Sequence, residues 1–409
     1  SAVDTDVSDA GLRESISLRH GICGMETIME AYLDNAATTP VLPQVRQIMD
    51  LVMEEDYGNP SSKHTKGIEA EGYVKEAAEK IARTLKCQPK EIVFTSGGTE
   101  SNNMALIGTA LANPRAGRHI ISTRIEHASI HEPMAFLEQM GYECTYLPVD
   151  EMGRVDAQAL RDALRPDTLM VSIMMVNNEM GAVEDIEGLC RIVKEYDRKI
   201  FFHVDAIQAY GKLRIAPKKL GIDLLSVSGH KIHGPKGSGF LYVKEGTRIS
   251  PILYGGGQQK GMRSGTENVP AIAGLGVAAE SIYQDHTTKV ERLYALKERL
   301  IEGMSGIEGV VVNGVEPGKV HETAPHIVSV SFRGISKSEV MLHALAQKGV
   351  YVSSGSACSS NHPELSGTLK AIGVEDALLD STLRFSFSML TTMEEVEYAI
   401  SVVQEVLPV

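Results

Sequence analysis

The stretch SVSGHKIHGPKGSG places Lys231 directly after an apolar run, with Ser228 and His230 beside it and glycines on both sides. HVDAIQ puts Asp205 at the end of a second apolar run, where burying a carboxylate is costly unless a cation faces it. TSGGTES follows a third run with two glycines and several hydroxyls. Free N–H groups at a helix start near Thr99 can cradle a phosphate, although the same turn also serves simply to cap a helix. SSGSACSS, finally, sets Cys358 among residues with no bulk. A thiol there is either a minor packing residue or a nucleophile presented on a loop.

Taken singly, a lysine past a strand end is a solvated residue; the elements that carry these groups decide whether they meet. From Ala31 to about Val277, continuous apolar runs such as EIVFTS, HIISTRIEH, TLMVSIMMVNNE, KIFFHVDAIQ, LLSVSGHK and GFLYVKE alternate with amphipathic stretches. That pattern predicts a mostly parallel sheet covered on both faces, hence an α/β fold. After AIAGLGVAAESIYQ, the charged helix pattern HTTKVERLYALKERLIEGM leads to HIVSVSF, VYVSSGSACSS, TLRFSFSML and a closing helix MEEVEYAISVVQEVL. A smaller α+β domain is expected there. The predicted division is an extension over 1–30, a large α/β domain over 31–280 whose first residues could pack on the small domain, and a small domain over 281–409.

Ligands of open α/β sheets bind at the carboxyl ends of the strands. An amine able to form a Schiff base, a carboxylate for a pyridinium nitrogen, a phosphate cradle and a histidine at that one edge match pyridoxal phosphate.

Other classes are disfavoured. With 409 residues and a formal net charge of −13, the chain lacks the cationic excess that nucleic acid demands. No apolar stretch approaches a membrane span. Five widely spaced cysteines, without a CxxC pair, point to reduced thiols in a cytoplasm-like compartment. The first 24 residues carry early acids and no apolar core, unlike a secretory or transit peptide. His127 and His131 have the spacing of metal ligands, but no acid of an HExxH pattern and no third ligand accompany them, so no metal is expected. GHKIHGPK resembles a P-loop only until Pro235, and GLGVAA lies inside a helical pattern, so neither supports a nucleotide site.

YLDNAATTP, TSGGTESNN, VNNEMGAV, HVDAIQ, SGHKIHGPKGSG, GGGQQKGMRSGTEN and SSGSACSS occur in the order seen in NifS/IscS-like cysteine desulfurases. These belong to the class V aminotransferase group of fold-type I pyridoxal phosphate enzymes, and the resemblance runs from about Tyr32 nearly to the C-terminus. It implies a fold-type I transferase in which Lys231 holds the cofactor and later moves protons. Asp205 pairs with the pyridine nitrogen, Gln208 with the phenolic oxygen, and His127 stacks on the ring. Gly98, Thr99, Ser228 and His230 hold the phosphate, with Thr266 reaching it from a neighbouring subunit, which implies a homodimer with shared sites. Asn178 and Arg384 grip the carboxylate of L-cysteine, with Asn35 beside that pocket. Cys358 takes the substrate's sulfur as a persulfide, leaving L-alanine, and passes it to a protein acceptor, an iron–sulfur scaffold or a thiolation enzyme. His127 is a candidate base for that thiol. Selenocysteine lyase, or another class V aminotransferase or lyase acting on a small amino acid, is the alternative. Two positions depart from the family pattern: Ser388-Met389-Leu390 stands where Gly-Arg is common after RFS, and Gln259 where Glu is common.

Overall fold

The computed structural model describes residues 29–354 and 365–407. The expectations for the N-terminal extension up to residue 28, and for Cys358, lie outside the described residues. In chain order the strands are β1 (Ala31–Tyr32), β2 (Ile92–Thr95), β3 (His119–Thr123), β4 (Glu143–Leu147), β5 (Thr168–Met174), β6 (Phe201–Asp205), β7 (Leu224–Ser228), β8 (Gly239–Val243), β9 (Val310–Asn313), β10 (Ile327–Phe332), β11 (Val350–Tyr351), β12 (Ser353–Ser354) and β13 (Thr382–Ser386).

Seven of them form one sheet in the order β2-β8-β7-β6-β5-β3-β4. Only β8 runs against the rest. Every residue of β5 and β7 is buried, as continuous apolar runs sandwiched between helices require. The Val269–Tyr283 helix, which contains GLGVAA, packs closely on the Thr65–Leu85 helix. A Cβ on Gly276 would sit 2.7 Å from the Cα of Ala77, so the helices can approach this closely only with glycine there.

A second, antiparallel sheet has the order β12-β13-β10-β9. The helices His286–Ser305 and Met393–Val406 close over it, burying Leu293, Leu296, Leu300, Val330, Phe385 and Val403 in a separate apolar core. The chain's early residues join this core rather than the first: Ala31 and Leu33 are buried in it, and β1 pairs with β11 in parallel. Residues 36–40 then cross to the large sheet. There Thr39 Oγ1 donates to the carbonyl of His230 (2.7 Å) and accepts from the N–H of His233 (2.7 Å). One short segment thus stitches the two sheets together over the carboxyl ends of β6 and β7.

The sequence reading of SNNMALIGTALAN as one helix meets a local difference. The run is α-helical over Gly98–Asn103, widens to a π-turn over Met104–Gly108, and returns to α over Thr109–Ala112. Such a turn accommodates one extra residue per turn and often marks a functional region.

Lys297, 0 % exposed on the His286–Ser305 helix, donates to Thr323 Oγ1 and to the carbonyl of Ala324, both at 2.7 Å. Burial pushes its ammonium down to about 7. The unfolded chain therefore binds more protons than the folded one between about pH 7 and pH 10, and this group's contribution to stability rises with pH across that window. Urea denaturation of wild type and Lys297→Met should show the difference, wild type minus variant, moving in favour of wild type by up to roughly 1 kcal/mol per pH unit above neutrality. A difference independent of pH would refute the buried-ammonium account.

Candidate active site

The carboxyl ends of β2, β3, β6 and β7 open on the same edge of the large sheet, facing residues 36–37 and the end of β13. A cavity of about 250 Å³ lies between them. Ten of the thirteen residues singled out from sequence line it: Gly98, Thr99, His127, Asn178, Asp205, Gln208, Ser228, His230, Lys231 and Arg384. A larger groove of about 500 Å³ follows the edge strand β2 and gathers Lys75, Glu79, Lys90 and Glu245 with Gln259, but none of these ten.

Asp205 ends β6, the central strand, and is 3 % exposed. Its Oδ1 accepts the N–H of Ile207 (3.0 Å) and its Oδ2 the side-chain amide of Asn102 (3.0 Å). Burial pushes the carboxyl up, while these donors and the nearby His127 and Lys231 pull it back. Asn102 Nδ2 also donates to Ser129 Oγ (2.9 Å), which lies 2.8 Å from His127 Nδ1. His127 caps the Ala128–Gln139 helix, its Nδ1 accepting the N–H of Ser129 (3.1 Å). In the neutral ring this assigns the proton to Nε2. A polar chain, Asp205–Asn102–Ser129–His127, therefore holds carboxylate and imidazole in register. Asn102 was not singled out from sequence; its signal was a pair of asparagines in TESNN, opening a helix that must be buried on one face.

Lys231 follows β7 in a single turn of 3-10 helix. Its Nζ donates to the carbonyls of Ala36 (2.5 Å) and Ala37 (2.7 Å). Beneath it, the buried Lys212 donates to the carbonyl of Lys231 (2.8 Å), and burial together with Lys231 pushes Lys212 down to about 7. His230 lies 3.2 Å from Thr38 Oγ1 and is held down at about 4 by burial and Lys231. A Cβ on Gly98 would meet Ile207 Cδ1 at 2.2 Å, so a side chain there would require Ile207 to move. At Gly97 φ is 154° with ψ −173°, a conformation that belongs to glycine.

Arg384 is 4 % exposed on β13. Its Nη1 donates to the carbonyl of Asn178 (2.7 Å) and its Nη2 pairs with Asp34 Oδ1 (3.2 Å), while its buried Nε has no partner among the described groups. Asp34, absent from the sequence candidates, is pushed up by burial and pulled back by Arg384.

Asn35 lies beside the cavity rather than in its lining: its Nδ2 donates to the carbonyls of Tyr32 (3.0 Å) and Ser386 (3.1 Å), so it anchors the stretch whose Ala36 and Ala37 line it. Thr266 is exposed on its loop and away from this chain's cavity. His131 packs against the ring of Tyr146 at 5.6 Å. Among the described residues, no group of three or more His, Cys, Asp or Glu is arranged to hold a metal. The unbonded thiols Cys87, Cys144 and Cys190 are pushed up by burial, to about 12, about 12 and about 11, and none reaches the cavity. Ser388-Met389-Leu390 forms the turn before the Met393–Val406 helix, with Ser388 and Thr391 bonded to each other, and lies outside the cavity lining.

Comparison with known proteins follows the same residues. The family model described as aminotransferase class-V matches residues 31–399. The chain is 44 % identical over 379 residues to the cysteine desulfurase IscS of Dictyoglomus turgidum, covering 92 % of this chain and 94 % of that protein. A solved structure described as a NifS-like protein superposes with a TM-score of 0.87 at 37 % identity, over 93 % of this chain and 99 % of that one. Another, described as SspA in complex with cysteine, does so with a TM-score of 0.74 at 34 % identity, over 88 % and 100 %.

The departure at Gln259 has a physical basis. Its Oε1 accepts the N–H of Phe94 (2.7 Å) and its Nε2 donates to the carbonyl of Phe94 (2.8 Å), so the amide pairs with edge strand β2 as a peptide group would. Arg263 reinforces the same loop through Glu100, at 2.7 and 3.2 Å. A carboxylate at 259 can accept but cannot donate, and would face the carbonyl of Phe94 unpaired. Gln259→Glu is therefore expected to cost about 1–3 kcal/mol at pH 8, measured by urea denaturation, with the loss shrinking toward pH 5 as the acid regains a proton to donate. Equal stability at pH 8 would show that the clamp is not used.

Proposed function

The chain belongs to the class-V aminotransferase family, and from that premise we propose which of its residues carry the reaction. The activity is that of a pyridoxal phosphate-dependent cysteine desulfurase. When bound, the cofactor supplies an electron sink for charge that develops on the substrate's carbon skeleton. The supporting observation is that a single cavity gathers a lysine amine, a buried carboxylate, an imidazole, a guanidinium and a glycine-lined helix start. That donor set fits the group: Asp205 has acceptor capacity beyond its two bonds for a protonated ring nitrogen, and Gly98 and Thr99 line the cavity at a helix start, where N–H groups lack intrahelical partners.

Lys231 holds the cofactor and then moves the substrate's α-proton, its amine kept close by the carbonyls of Ala36 and Ala37. Asp205 would keep the ring nitrogen protonated, His127 would pack against the ring, and Gln208 would donate to the phenolic oxygen. Gly98, Thr99, Ser228 and His230 hold the phosphate, joined by Thr266 from the second copy of a homodimer. Arg384 and Asn178 take the substrate carboxylate, the planar guanidinium supplying paired donors. The Cys358 thiolate attacks the sulfur of L-cysteine. A sulfur–sulfur bond forms as the carbon–sulfur bond breaks, the bonding pair stays with carbon, and a proton there completes L-alanine. Thiolate is required for this, and the described thiols are all held protonated by burial. The persulfide then passes to a protein acceptor, an iron–sulfur scaffold or a thiolation enzyme. No helix among the described residues is long and apolar enough to cross a membrane, and with the widely spaced cysteines this supports a cytoplasmic setting. We assign residues 31–280 to a large cofactor-binding domain and 281–409 to a small one carrying Cys358, with β1 packed on the latter.

The holoprotein should be yellow. Lys231→Ala should lose the visible band and fall at least about a hundredfold in turnover; a colourless wild type would overturn the cofactor assignment. With L-cysteine and a reductant, Cys358→Ala should keep the band and lose sulfide release. Equal sulfide from variant and wild type would remove the persulfide role while leaving the cofactor site intact.

A further inference from the structure

His326 lies at the start of β10 in the second sheet, is 1 % exposed, and reaches across to the large-sheet cavity. Its Nε2 is 3.1 Å from Gln208 Oε1. Gln208, in turn, donates through Nε2 to the carbonyl of Ala36 (3.0 Å). That carbonyl can only accept, so the amide orientation is determined: NH2 toward Ala36, oxygen toward His326. The oxygen can only accept as well, so His326 Nε2 must carry the proton. Its Nδ1 is buried with no partner among the described groups. Burial keeps the ring neutral, as do the cations around it: Lys212 after β6, Lys231 after β7, Lys297 on the His286–Ser305 helix and Arg384 on β13. A neutral ring has one N–H to give, and it is given to Gln208.

We propose that His326 is a positioning residue that locks the Gln208 amide with its NH2 toward the cavity, so that Gln208 donates to, rather than repels, the phenolic oxygen of bound pyridoxal phosphate. A flipped amide would set oxygen against the Ala36 carbonyl and NH2 against the His326 N–H, two repulsive contacts at once. The inference rests on the cofactor reading above and goes beyond it: the small sheet helps to tune a cofactor held by the large one.

A donor at the phenolic oxygen weakens that oxygen's hold on the proton it shares with the neighbouring nitrogen. Losing the donor raises the pH at which the visible band titrates. In the holoenzyme, His326→Leu should shift this midpoint upward by about half to one pH unit. His326→Gln, whose amide nitrogen reaches the place of Nε2, should restore it. Gln208→Leu should shift it at least as far, and adding His326→Leu to that variant should move it no further. A His326→Leu midpoint equal to wild type, a His326→Gln midpoint as displaced as that of His326→Leu, or additive shifts in the double variant would each overturn the proposal. A wild type with no visible band would instead overturn the cofactor reading itself. Nitrogen-15 NMR of histidine-labelled wild type needs no variant to fold: His326 should stay protonated at Nε2 alone from pH 6 to 9, and a proton on Nδ1 would exclude the arrangement.

Discussion

A carboxylate that is 3 % exposed at the end of the central strand is the constraint on which this site depends. Asp205 cannot be held ionised there without donors on both oxygens and cations within reach. The donors are the N–H of Ile207 and the amide of Asn102; the amine of Lys231 and the imidazole of His127 also draw its carboxyl down. Each comes from a different strand end, so the parallel arrangement of β2, β3, β6 and β7 is what lets them converge. Moving any one strand by a residue would turn its terminal side chain to the other face of the sheet. The carboxylate would then lose a partner that nothing else could replace.

The amine at Lys231 is handled differently, by backbone. Ala36 accepts from both Lys231 and Gln208, and its own N–H donates to Ser386 Oγ at 2.8 Å. Its position is therefore set from β13, while Thr39 is set from the turn after β7. The crossing segment transmits the geometry of the second sheet to the reactive edge of the first, and relative motion of the two sheets would disturb Lys231 and Gln208 together.

Much of this edge was legible in the sequence because its strands are short apolar runs with one chemically unusual residue at the end of each. Asp205, Lys231 and Gly98-Thr99 announce themselves in that way, and the topology rule for open sheets gathers them. Asn35 shows where that reasoning stops. Its stretch was rightly associated with the cavity, but the groups that matter are the carbonyls of Ala36 and Ala37, and a backbone contact leaves no residue-type signal. Asp34 and His326 were missed for a second reason. Each acts across the boundary between the sheets, on Arg384 and on Gln208, and no periodicity within its own segment reports a partner more than a hundred residues away. Packing of the first residues on the small domain was expected, but the strand partner and register of β1 with β11 were not legible for the same reason.

A chain of net charge −13 can still build a cavity for anions, because burial acts unequally on its charges. Asp34, Glu126, Glu179 and Asp205 are all pushed upward, toward their neutral forms, mainly by desolvation. The guanidinium of Arg384 has no such escape, since arginine does not deprotonate in proteins. The buried Lys212 does have one, and is pushed down to about 7 by its own burial and by Lys231. A phosphate or a carboxylate entering this space meets a fixed cation and acids whose repulsion has been weakened by the same burial. The negative surface of the chain lies outside this balance: exposed charges are screened by salt over about 8 Å at physiological ionic strength, whereas those enclosed with the ligand are screened much less.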